Sequence, residues 1–123
     1  HYVTTSTQKM EALFATLDEY VQAKEHEKVL EASSAILKEA PGDADAFGCK
    51  VCALLFLERF QEVVKAVGEW ETGAGTARDG AGFRVQKAYA LYKLRENEAA
   101  LRLLEPVLTP EQLEALQRQL FRA

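Results

Sequence analysis

HEKVLEASSAILKEAPGD at residues 26–43, FQEVVKAVGEW at 60–70 and NEAALRLLEPVL at 97–108 can be laid over one another as three copies of one segment. His26, Phe60 and Asn97 begin the copies, so the offsets are 34 and 37 residues. A period of that size is the signature of a repeat protein and takes precedence over any local reading of secondary structure. A second segment precedes each copy: MEALFATLDEYVQ from Met10, AFGCKVCALLFL from Ala46 and FRVQKAYALYKL from Phe83. All carry apolar residues at the i, i+3, i+4, i+7 spacing of a half-buried helix, and none alternates with the period of two that a strand requires.

Each repeat is therefore a pair of helices. The links inside the pairs, AKEHE, LERFQ and LRENE, are short and polar, which forces the two helices to run antiparallel. Between pairs, Pro41-Gly42 stops one helix, and Asp43 or Asp45 is placed to cap the next by accepting its orphan backbone N–H groups. Thr109-Pro110-Glu111-Gln112 combines a capping hydroxyl, a proline at the first helical position and a glutamine three residues after the cap, and predicts a last helix over 110–122. The stretch from Thr72 to Gly82 holds Gly73, Gly75, Gly80 and Gly82. With no strand before it and no Gly-Lys-Ser/Thr ending it lacks the pattern of a phosphate cradle, and it reads as the longest connection between repeats. His1 to Thr5 reads as a remnant or a frayed arm outside the fold.

At 123 residues, 48% apolar and 28% charged, the chain has the composition of one soluble folded domain, 1–123. The 19 acidic and 15 basic residues leave a net charge of −4, and the basic residues fall singly along the chain. Direct nucleic-acid binding, which needs clustered Lys and Arg, is not expected. Neither a membrane span nor a secretory leader is legible. Cys49 and Cys52 lie too close together to staple distant segments, which suits a reduced, cytoplasmic setting.

The period of 34 and the helix-turn-helix units resemble the tetratricopeptide repeat, with units at about 10–43, 44–80 and 81–109 followed by the terminal helix. On that pattern the large residue of the first helix falls at Leu13 and Phe47, the turn position at His26, Phe60 and Asn97, and the small residue of the second helix at Val29, Val63 and Ala100. Pro41 takes the repeat-ending proline. The match is degenerate: Leu17, Val51 and Ala88 replace the usual glycine, and Arg84 stands where an apolar residue is expected. More closely, CKVCALL at 49–55 and FRVQKAYALYKLRENEAALRLLE at 83–105 resemble the amino-terminal repeats of the 72-kilodalton subunit family of eukaryotic signal recognition particle. The resemblance implies an all-α fold, an α-α superhelix of about three hairpins plus a final helix. It also implies a piece of a longer protein, with residues 110–122 opening a fourth repeat, and a partner, the carboxy-terminal region of the 68-kilodalton subunit, held to support co-translational protein targeting.

A lone hairpin cannot bury its apolar face, so hairpins stack and the first helix of each lines an inner groove. Counted on the repeat frame, the groove residues are Phe14, Asp18 and Val21, then Gly48, Cys52 and Phe56, then Val85, Tyr89 and Tyr92. Such apolar and aromatic side chains suit capture of a peptide or helix. The basic clamp with which many tetratricopeptide modules hold the terminal carboxylate of chaperone tails is not expected, since Phe14, Asp18, Cys49, Gly82 and Gln86 occupy its positions. A self-associating repeat array and a chaperone-binding adaptor are the alternatives.

No catalytic constellation emerges, and no enzyme activity, cofactor, metal or small-molecule substrate is expected. Cys49 and Cys52 lack the strand-to-helix setting of a redox pair and the further ligands of a zinc site. Glu25 with Glu27, and Glu69 with Glu71, fall at turns or helix ends where nothing desolvates them. His26 has no serine and aspartate partners placed for nucleophilic work.

Overall fold

The computed structural model describes residues 2–73 and 83–120. The order of elements is α1 (Tyr2–Gln22), α2 (His26–Glu39), α3 (Ala44–Phe56), α4 (Phe60–Thr72), α5 (Arg84–Lys93), α6 (Asn97–Leu104), a 3-10 turn at Glu105–Val107, and α7 (Pro110–Leu120). No strand occurs among the described residues. The backbone clusters into two compact units, residues 1–58 and 59–123.

In the first unit α2 packs on both α1 and α3. Leu17 of α1, Val29, Ala32 and Ile36 of α2, and Ala46 and Ala53 of α3 form its core, with Met10, Leu13 and Tyr20 packed around it. Ser33 is fully buried among them, and its hydroxyl is satisfied by donating to the Leu30 carbonyl at 3.1 Å. The proline turn leads into α3 as the sequence indicates: the Asp43 carboxylate accepts the Ala46 N–H at 2.9 Å. Helix α1 begins at Tyr2, which corrects the reading of residues up to Thr5 as an arm outside the fold. Between Tyr2 and Met10 there is no proline or glycine to break the helix, and the Lys9 ammonium bonds Glu39 of α2 at 2.8 Å. That contact holds the Glu39 carboxyl below its ordinary range.

In the second unit α5 packs on α4 and α6. Ala88, Leu91 and Ala100 are buried together, ringed by Val64, Ala99, Leu103 and Leu104. Trp70, at the end of α4, meets Phe83 edge-on at 5.8 Å, and Lys87 reaches Glu71 at 3.7 Å. Helix α7 starts on a reciprocal cap. The Thr109 hydroxyl accepts the Gln112 N–H at 3.2 Å, and the Gln112 side chain accepts the Thr109 N–H at 3.0 Å.

The glycine and small-residue positions assigned on the repeat pattern are buried helix by helix. Leu17, Val51 and Ala88, which replace the usual glycine, are buried, as are Val29, Val63 and Ala100 at the small-residue position. Arg84 in place of an apolar residue does not shift the third copy. The glycine-rich connection at 74–82 lies outside the described residues, as do the expected last positions of α7 beyond Leu120.

Candidate protein-binding site

Helix α5 is short of bulky residues on its inner side, where Ala88, Ala90 and Leu91 are buried. Its large side chains are left on the opposite side. Val85, Tyr89 and Tyr92, spaced i, i+4, i+7, remain 58%, 47% and 46% exposed. Isolated exposed apolar residues mean little, but an aligned group on one helix face is a surface that could receive another molecule. Tyr89 is held from two sides: Phe60 meets its ring edge-on at 6.1 Å, and the Lys93 ammonium stands 5.8 Å from the ring centroid.

This face opens into a cleft of about 260 Å³. Val85, Ala88, Tyr89 and Tyr92 of α5 line it, together with Ala100 and Leu104 of α6 and Leu116, Gln119 and Leu120 of α7. Small-molecule pockets start at roughly 300 Å³, so the space suits a protruding side chain better than a cofactor. Apart from the tyrosine hydroxyls and Gln119 its lining is apolar. One polar contact ties α7 in place: the Asn97 amide donates to the Leu120 carbonyl at 3.1 Å. The side-chain amide oxygens of Asn97 and Gln86 are buried with no hydrogen-bond partner among the described residues.

The other six groove positions expected from the repeat frame lie in the first unit. Phe56 is 71% exposed at the end of α3, its ring stacked on His26 at 4.5 Å and 4°. Val21 is 43% exposed, and Asp18 and Cys52 are exposed. Phe14 and Gly48 are half-buried, and Phe14 packs against the core of its unit. The three residues expected from α5 are thus brought together around one cavity. The residues that complete it, Leu104, Leu116 and Leu120 above all, were not anticipated. Their signal was present, because the cap at Thr109 fixes α7 and Leu113, Leu116 and Leu120 then fall on one helical face.

Of the positions where a carboxylate clamp would stand, Phe14 and Cys49 are half-buried, Asp18 is an exposed acidic residue, and Gln86 offers an amide; Gly82 lies outside the described residues. Cys49 and Cys52 are free thiols. Burial pushes the Cys49 thiol up, and the adjacent Cys52 adds to the shift, which is opposite to the activation of a nucleophile. Among the described residues no three His, Cys, Asp or Glu side chains gather where they would hold a metal ion. No described helix is long and apolar enough to cross a membrane.

The SRP_TPR_like family model, described as a TPR-like repeat, matches residues 22–122, which is most of the chain. The chain belongs to this family. Among curated proteins it is similar to the signal recognition particle subunit SRP72 of Dictyostelium discoideum, with 29% identity over 100 residues, and to SRP72 of Schistosoma mansoni, with 26% over 96. These matches cover 81% and 78% of this chain but only 14% and 13% of the relatives, so the chain spans about one-seventh of their length. Among solved structures it is similar to the TPR2B domain of yeast Sti1 in its pHsp70 complex, with a TM-score of 0.65 and 20% identity over 91% of this chain and 82% of that one. That likeness shows the fold: as an SRP_TPR_like member the chain is an all-α array of tetratricopeptide-type hairpins, of the α-α superhelix class.

Proposed function

We propose that the chain is a protein-holding scaffold of the signal recognition particle, and that its partner is a carboxy-terminal segment of the 68-kilodalton subunit. Its role is to support co-translational protein targeting to the endoplasmic reticulum from the cytoplasm. The observation that carries this reading is the exposed row Val85, Tyr89 and Tyr92 bordering an apolar cleft, in a chain similar to SRP72. A surface of this kind gains free energy by leaving water, at roughly 25 cal/mol per Å², and offers no group placed for acid–base chemistry. Binding and not catalysis is what it supports. Within the first unit, Phe14, Asp18, Val21, Gly48, Cys52 and Phe56 are proposed as partner-contacting residues.

Calorimetric titration of the chain with the carboxy-terminal segment of the 68-kilodalton subunit tests the proposal. Heat of binding at micromolar concentration is expected, with a loss of tenfold or more, about 1.4 kcal/mol, in a Tyr89→Ala, Tyr92→Ala variant. Absence of heat at that concentration, or full affinity in the variant, would sink it. A self-associating array is the second reading, favoured by α7, none of whose described residues is buried. Light scattering that gives a concentration-independent monomer removes it.

A further inference from the structure

The basic residues are sparse along most of the chain, but RVQKAYALYKLR at 84–95 carries Arg84, Lys87, Lys93 and Arg95 with no acidic residue among them. This run lies on a molecule of net charge −4, and it includes the α5 wall of the cleft. Lys87 is engaged by Glu71. Arg84 stands one helical turn before Ala88, and Lys93 one turn after Tyr89, so the cleft-lining stretch of α5 has a cation at each end. Neither forms a salt bridge among the described residues; the neighbour of the Lys93 ammonium is the Tyr89 ring. Across the cleft, α7 carries Glu111, Glu114 and Arg118, a net charge of −1, with Arg118 3.9 Å from Glu114, so the cations on this side of the cleft are those of α5.

We infer that this cleft takes one large apolar side chain of a partner segment whose flanking residues are acidic, with Arg84 and Lys93 receiving those acids. The inference rests on the proposed function only in supposing that the occupant is a protein segment. The lining selects against polar and small groups, because a polar head pushed among Val85, Ala100, Leu104 and Leu116 would lose its water without gaining a partner. The two cations select the flanks: a basic segment is repelled, and an acidic one is attracted most strongly at low salt. Single-stranded RNA, the other polyanion that stacks on tyrosines, fits less well, since a cleft whose polar groups are two tyrosine hydroxyls and one amide offers a base edge little to bond.

The test uses the whole chain and three fluorescent probes: the carboxy-terminal segment of the 68-kilodalton subunit, the synthetic peptide EDELLDEE, and a twenty-nucleotide polyuridine. The expected result is that EDELLDEE binds, that 300 mM NaCl weakens it severalfold, and that Arg84→Glu with Lys93→Glu weakens it at least tenfold. Leu116→Glu should do the same; because α7 has no buried described residue, this variant keeps its helical circular dichroism. If EDELLDEE binds in this way while the 68-kilodalton segment does not, the inference stands and the choice of partner falls. If EDELLDEE binds wild type and all these variants alike, the cleft is not its seat and the inference is overturned, while the proposed scaffold role survives wherever the 68-kilodalton segment binds. Failure of EDELLDEE to bind, or its displacement by polyuridine with loss of that RNA binding in the variants, also overturns it.

Discussion

Lys24, Glu58 and Arg95 adopt the left-handed conformation, with φ of 57°, 59° and 66°. They sit at the same point of each hairpin turn, and their spacing repeats the 34- and 37-residue offsets of the sequence. Such a residue ends a helix by letting the next N–H groups fold back on the last free carbonyls. Lys24 N–H bonds Val21 and Glu25 N–H bonds Tyr20, and the same pair recurs from Arg95 to Tyr92 and from Glu96 to Leu91. Glycine usually fills this place because a Cβ there is crowded by the backbone. Lys24→Gly, Glu58→Gly and Arg95→Gly are each expected to raise stability by up to about 1 kcal/mol, read as a higher urea midpoint. A lower midpoint would show that the side chain contributes more than the strain it carries.

At the scale of the element, α7 depends on its start. None of its described residues is buried, so packing contributes little, and the reciprocal bonds of Thr109 and Gln112 carry more of the helix than a cap does elsewhere. Thr109→Ala is expected to cost about 1 kcal/mol and to confine the damage. Amide hydrogen exchange should quicken over 110–120 while α2 and α3 keep their protection. Equal loss of protection throughout would show that α7 is more firmly built in than its exposure indicates. The cap was readable from four residues, because it is a local device whose partners lie three positions apart.

At the scale of the whole molecule, stability and binding fall to different residues. Ile36 is fully buried at the centre of its unit, so Ile36→Ala should lower the unfolding free energy by about 2 to 5 kcal/mol, a large share of the 5 to 15 kcal/mol typical of a folded chain. The Tyr89→Ala, Tyr92→Ala variant removes two half-exposed rings and is expected to leave the melting temperature within a few degrees of wild type while partner binding is lost. A large fall in its melting temperature would assign both rings to the framework and remove them from the proposed surface.

Helix type and the positions of the repeat pattern were determined by the sequence, because each rests on residues a few positions apart or on a segment that recurs three times. The frame even placed Leu17, Val51 and Ala88 correctly at buried sites despite their departure from the usual glycine. It could not say how far each side chain would be covered, since burial depends on which element arrives from a distant part of the chain. Phe14 and Phe56 are the same residue type on equivalent first helices, yet one is drawn against a core and the other is left 71% exposed. The cleft beside Tyr89 and Tyr92 likewise exists only because α7 returns near α5 and α6, joined through Asn97 to a carbonyl 23 residues away. No spacing along the chain encodes that approach, and only the tertiary structure decided it.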